Sequence, residues 1–129
     1  MRTVTDLTIT DFVLADGYAI FRPVGQRSLM QGIEMLRDAL ARANAQRIAK
    51  LMIVITEVSG YEVPSLSMRA SMMRAFAAAA GGWMSIALVC RPEFIDPQKF
   101  GVRFGESLGM VTDVFETEDE AVDWLRSLD

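Results

Sequence analysis

The chain contains no histidine and a single cysteine. Without histidine there is no Ser-His-Asp or Cys-His arrangement for nucleophilic catalysis, and zinc loses its usual nitrogen ligands. The lone thiol, Cys90, can close no intrachain disulfide. It follows the apolar run Ile86-Ala87-Leu88-Val89 and reads as a buried structural cysteine with no histidine to activate it. Long apolar stretches are also missing. No run approaches the roughly 20 residues that cross a bilayer. Met1-Arg2-Thr3-Val4-Thr5-Asp6 has no apolar signal core, so the expected location is the cytoplasm. The acids fall in no EF-hand spacing, so neither a metal site nor a cofactor is expected.

What is present suffices for one folded domain. The 129 residues are 51% hydrophobic and 23% charged, which describes a globular chain and not a disordered one. Net charge is −4 and unevenly spread. Asp113, Glu116, Glu118, Asp119, Glu120, Asp123 and Asp129 crowd the C-terminal segment against Arg126 alone. Between Ile20 and Lys50, Arg22, Arg27, Arg37, Arg42, Arg47 and Lys50 outnumber Glu34 and Asp38. Such asymmetry can steer a partner, although a solvated face on each of two helices accounts for it better. A pI near 4.8, with no aromatics interleaved among the bases, argues against nucleic acid.

The chain reads as alternating elements. Thr8 to Leu14 and Tyr18 to Val24 predict two strands around the hairpin dipeptide Asp16-Gly17. Ser28 to Gln31 matches a capping box, and Leu29, Ile33, Leu36, Leu40 and Ala43 follow on one helical face. Leu51 to Thr56 predicts a strand buried on both faces. A second helix spans Ser65 to Ala80, with Gly81-Gly82 to close it, before a strand over Trp83 to Val89. Asp96-Pro97 predicts the cap and first residue of a third helix, with Phe100, Phe104 and Leu108 as its stripe. Met110 to Phe115 predicts the last strand. Thr117 to Glu120 predicts another capping box, ahead of Ala121, Trp124, Leu125 and Leu128. The order β-β-α-β-α-β-α-β-α gives an α/β domain with a mixed, mostly parallel five-stranded sheet and four helices. Phe100, Phe104 and Trp124 have core spacing, and the nine methionines read first as core filler.

The stretch from Leu51 to Phe76 is the candidate site: a buried strand, a polar loop, then a helix whose first N–H groups point outward. Ser65 is explained by an N-cap role; it and Ser67 are also candidate phospho-acceptors, with Arg69 one turn further on as a counter-charge. Arg69 projects into an apolar arc and is expected either to pair with Glu57 or Glu62 or to hold an anion. Met68, Met72, Met73 and Phe76, with neighbouring Leu66 and alanines, make that arc wider than packing on one sheet requires. A second helix of the domain, a second copy of the chain, a membrane surface or an apolar ligand could cover the surplus. Tyr61 reads either as a lid over an apolar pocket or as ordinary loop packing. Glu116, Glu118, Asp119 and Glu120 fit a capped helix start better than a metal cluster. Nothing near Ser65, Ser67, Tyr61, Glu57 or Glu62 activates a nucleophile, so no catalytic residue is expected.

Three segments together resemble a known group: LMIVITEVSGYEVPSLSMR from Leu51, SIALVCRPEFIDPQKFGV from Ser85, and DVFETEDEAVDWLRSL from Asp113. From about Tyr18 onward the chain is similar to STAS-like (SpoIIAA-like) bacterial domains, relatives of the anti-sigma-factor antagonists that share topology with Sec14-type lipid-binding domains. The resemblance implies a single non-enzymatic domain that regulates or carries by binding, either a protein partner or an apolar small molecule. In the antagonists a serine at the start of the helix after the central strand is phosphorylated within Asp-Ser-Ser/Thr-Gly. The corresponding place here is Pro64-Ser65-Leu66-Ser67, without the aspartate or the glycine.

Overall fold

The computed structural model describes residues 12–128. Met1 to Asp6, and residues 8–11 of the first expected strand, lie outside that range. The described elements are β1 (Phe12–Ala15), β2 (Tyr18–Phe21), β3 (Gly25–Gln26), α1 (Leu29–Ala45), β4 (Lys50–Val54), β5 (Val58–Ser59), α2 (Leu66–Ala80), β6 (Ser85–Val89), α3 (Phe100–Ser107), β7 (Val111–Phe115) and α4 (Glu118–Ser127), with a 3-10 turn at Pro92–Phe94. The main sheet has the order β1-β2-β4-β6-β7; β1 runs antiparallel to β2 and every other pair is parallel. Among the described residues this is the mixed α/β sheet with four helices that the element order predicts. A small parallel pairing of β3 with β5 is additional. Two residues per strand are too few to carry a periodic signal.

Local chemistry sets most element ends. The Ser28 hydroxyl accepts from the Gln31 N–H at 3.2 Å, and the Gln31 side chain accepts from the Ser28 N–H at 2.9 Å, completing the capping box. Ser65 accepts from the Met68 N–H at 3.1 Å, and Gly81 closes α2 in the left-handed region at φ 79°. Thr117 caps α4 through the Glu120 N–H at 3.2 Å, while its hydroxyl lies 3.1 Å from the Glu120 carboxylate.

The third helix departs from expectation. It begins at Phe100, because Asp96 reaches across a turn closed by Lys99 (φ 53°) and accepts from the Phe100 N–H at 2.9 Å. Pro97 therefore lies in the turn and not in the helix. Leu108, beyond the last helical residue, is 40% exposed instead of completing a stripe. Phe100 and Phe104 are half-buried and stack at 6.0 Å, with Arg74 over Phe104, and Trp124 is half-buried against Phe115. Met52, Met84 and Met110 are core as expected, whereas Met30 is exposed. β6 starts two residues later than predicted, because Gly81 and Gly82 both take positive φ and turn the chain first.

The sheet has two unlike faces, dictated by alternation along the strands. Ile20, Met52, Val54, Ala87 and Val89 face α4, which contributes Ala121 and Leu125. The opposite side chains, Ala19, Phe21, Leu51, Ile53 and Ile86, face α1 and α2. α4 lies directly against β4, β6 and β7, whereas α1 and α2 pack chiefly on each other and α2 on α3. Small residues explain the close side: Ala87 and Ala121 are both fully buried. The acidic and basic segments also meet, since Arg22 donates to both Glu118 carboxylate oxygens, at 2.6 and 3.2 Å.

A tight α4 face leaves no room for added volume. Ala121→Leu is expected to destabilise the domain by about 1–3 kcal/mol through overpacking. The measurement is a lowered urea midpoint at unchanged m value; an unchanged midpoint would show that this face yields.

Candidate functional site

The strand side chains on the α1–α2 face continue past the strand ends. Leu51 and Ile53 are followed by Ile55, and Ile86 and Leu88 by Cys90. The Ile55 N–H donates to the Val89 carbonyl at 2.9 Å and the Cys90 N–H to the Phe115 carbonyl at 3.0 Å, so the parallel register holds for one more residue. Above these positions lie two adjoining apolar cavities. One, about 140 Å³, lies between the sheet, α2 and α3 and is bordered by Ile53, Met72, Met73, Phe76 and Val102. The other, about 90 Å³, lies towards α1 and the loop before α2 and is bordered by Ile33, Val58, Tyr61 and Pro64. Ile55, Arg69, Met72, Leu88, Cys90 and Phe94 border both. A more voluminous groove, about 550 Å³, runs beside α1 but mixes Arg22 and Arg27 with Glu34 and Asp38, so it presents no single sign of charge.

The loop into α2 is held in place by backbone bonds. The Gly25 N–H donates to Glu57 O at 3.2 Å and the Arg27 N–H to Ser59 O at 2.8 Å. Gly60 sits at φ 94° with the Gln26 side chain 2.8 Å from where a Cβ would stand, so only glycine fits there. The chain then presents Tyr61, whose ring stacks on Phe94 at 4.7 Å. Arg91 covers Phe94 at 5.2 Å.

Arg69 joins the two walls of this region. Its Nε donates to the Pro64 carbonyl and its Nη1 to the Phe94 carbonyl, both at 3.3 Å. The expected pairing with Glu57 or Glu62 does not form; backbone carbonyls take the guanidinium instead. The Tyr61 hydroxyl is buried without a hydrogen bond of good geometry, although the Arg91 guanidinium lies near it. Burial raises the Tyr61 pKa. Burial also pushes the Cys90 thiol up to about 11, against the opposing pull of the Arg69 charge. Both groups are therefore protonated at neutral pH. Among the described residues, no three histidine, cysteine, aspartate or glutamate side chains gather as a metal site, and no helix is long and apolar enough to cross a membrane.

The structure divides the expected site residues into three groups. Ser65 and Ser67 lie exposed at the start of α2, beside Leu66. Arg69, Met72, Met73, Phe76 and Tyr61 border the cavities. Met68 is half-buried but borders neither. The wide apolar arc of α2 is largely used within the domain, by α1 on one side and α3 on the other. Gly101 and Gly105 let α3 come close to Met73, whose Cε lies 2.7 Å from where a Gly105 Cβ would stand. Phe94 joins the site without having been singled out, and Cys90, buried as the sequence predicts, borders it as well. Alternation from Ile86 and Leu88 points to Cys90; nothing local marks Phe94.

No protein-family model matches the sequence, and no match is found among curated proteins. Solved structures do match. An anti-sigma factor antagonist from Mycobacterium paratuberculosis is 16% identical, superposes with a TM-score of 0.60 and covers 89% of this chain and 91% of its own. The anti-sigma factor antagonist SpoIIAA in its unphosphorylated form is 19% identical over 92% of this chain and all of its own, with a TM-score of 0.45. The chain has a STAS-like fold.

The Cys90 shift predicts an alkaline instability. An unfolded cysteine loses its proton near its ordinary value of 9.0, whereas the folded one holds it to about 11. Above pH 9 the folded state thus binds more protons than the unfolded state, and stability falls as pH rises. Two pKa units correspond to a loss of about 2–3 kcal/mol between pH 9 and 11. Cys90→Ala should remove the part that begins near pH 9 and leave the Tyr61 contribution, which has the same sign and begins higher. Urea midpoints across pH 7 to 11 check this, and an identical profile in Cys90→Ala would refute it.

Proposed function

We propose that the protein is a non-enzymatic STAS-like regulatory domain whose protein partner docks on the β5–α2 loop and the first turns of α2. One observation carries the reading. Val63 and Leu66 are 52% and 54% exposed on either side of Ser65, a pair of large apolar side chains left outside the core. Apolar anchors beside exposed hydroxyls suit a partner interface that a charge can switch. A phosphate on Ser65 or Ser67 would stand at the N-terminus of α2, where free N–H groups and the helix dipole favour negative charge. The likeness in fold to an anti-sigma factor antagonist supports regulation through a protein partner. A second reading, carriage of an apolar small molecule with peripheral membrane contact, is favoured by the two cavities beneath α2.

A photo-crosslinking amino acid at Leu66 tests the docking surface in cells of the source organism. The expected result is a discrete adduct with another protein, absent when the same probe replaces Leu108, an exposed apolar residue at the end of α3. Ser65→Asp should change the Leu66 adduct yield several-fold and Ser65→Ala should not. Equal adducts from both positions, or none, would sink the reading. An adduct of twice the chain mass would instead make a second copy the occupant.

A further inference from the structure

We infer that the two cavities beneath α2 form one binding site for a small organic acid with an apolar tail, the carboxylate held by Arg69 and Tyr61 and the tail lying between the sheet and α2. This rests on the small-molecule reading above and names the class of ligand.

Size supports a tail. The larger cavity, about 140 Å³, nearly equals the engineered apolar cavity of about 150 Å³ that stays dry and takes up benzene. The smaller adds about 90 Å³ on the other side of Met72. Met72 borders both, and methionine, with three rotatable bonds and no branch, is the shared side chain best suited to shift and let them join. The walls of the larger space are mainly apolar, with Ile53, Leu88, Met73 and Phe76 among them, and its polar neighbours include Arg69, Lys99, Thr112 and Asp113.

Charge supports an acid. Arg69 borders both cavities and carries five N–H donors, yet its recorded partners are two neutral carbonyls. No carboxylate among the described residues lies within ion-pair distance of it. The two acids that border the larger cavity are engaged elsewhere: Asp96 accepts from the Phe100 N–H at 2.9 Å, and Asp113 accepts from Lys99 at 2.8 Å. A half-buried cation is thus left without a counter-ion in an apolar wall. Tyr61 borders the smaller cavity as Arg69 does, and its buried hydroxyl, near Arg91, makes no hydrogen bond of good geometry. Buried polar groups in folded proteins are normally satisfied, and these two want the same thing, an acceptor. A carboxylate in the smaller cavity takes a donor from each, which makes charge-assisted hydrogen bonds in a low-dielectric site. The tail then points past Met72 into the larger space.

Octanoate, 1-octanol and octylammonium share a tail and differ in head-group charge, so together they test the inference on the full chain. Carbon-13 methyl spectra of the methionines report occupancy, with Met72 and Met73 as reporters and exposed Met30 as control. Octanoate should shift Met72 and Met73 saturably, bind at least tenfold more tightly than octanol, and leave Met30 unmoved; octylammonium should bind least. Tyr61→Phe removes a hydroxyl that makes no hydrogen bond of good geometry and keeps the ring stacked on Phe94, so the fold is expected to hold. It should weaken octanoate several-fold and leave octanol unchanged. Arg69→Met should make octanoate and octanol equal, and Cys90→Leu, which fills the wall common to both cavities, should abolish both. If octanol equals octanoate in the unmodified chain, the acid assignment falls and the small-molecule reading stands. If no probe shifts Met72 or Met73, or if Cys90→Leu binds as well as the unmodified chain, both fall.

Discussion

Strands β4 and β6 alternate their side chains between two environments that differ in how closely a helix can approach, and the rest of the domain follows from that difference. On one face, Met52, Val54, Ala87 and Val89 meet Ala121 and Leu125 of α4. Two alanines allow the helix to settle against the strands, and dense packing makes that face intolerant of change. On the other face, α1 and α2 rest on each other and α2 on α3. Their larger side chains bridge to the sheet, and the bridging is incomplete where the strands end. Because side-chain direction has a period of two, Ile55 and Cys90 must point into this incomplete region, whatever their chemistry.

Arg69 occupies a place where an aliphatic residue would close the gap. A guanidinium is too costly to desolvate alone, so it is held by the Pro64 and Phe94 carbonyls through two long, half-buried bonds from a charged donor. These two bonds tie the start of α2 to the 3-10 turn after β6, and so hold the two walls at a fixed separation. The same charge acts on Cys90 against the larger effect of burial, which keeps the thiol protonated and inert. The region combines an apolar lining with a cation whose partners are only dipoles.

Features that depend on residues three or four apart were legible in the sequence. The Ser28–Gln31 capping box, the Ser65 cap and the Gly81 terminator are local, and they appear where the pattern places them. The mixed sheet was legible because β4 and β6 are continuous apolar runs between helical stripes. The start of α3 was not, because Asp96 caps across a turn that depends on a left-handed Lys99, a conformation no side-chain pattern announces. The partners of Arg69 were hidden for a different reason. A search among side chains finds Glu57 and Glu62, whereas every residue carries a carbonyl and none is distinctive in sequence. Phe94 and Cys90 reach the site only through the pairing of β6 with β4 and β7, which is non-local. The breadth of the α2 arc was visible, but its cover, α1 on one side and α3 on the other, follows only from the packing.

The exposed start of α2 and the apolar space beneath it share one contact, the Arg69 guanidinium on the Pro64 carbonyl. Pro64, whose carbonyl receives Arg69, immediately precedes the Ser65 cap, and Leu66 begins the helix. Any group that draws the guanidinium towards the cavity competes with the Pro64 carbonyl and changes the restraint on the residues that a partner would meet. Conversely, a partner or a phosphate that repositions Pro64 alters the donors Arg69 presents to the cavity. Thermodynamic linkage makes such effects equal in both directions: whatever factor a cavity ligand applies to docking, docking applies to the ligand.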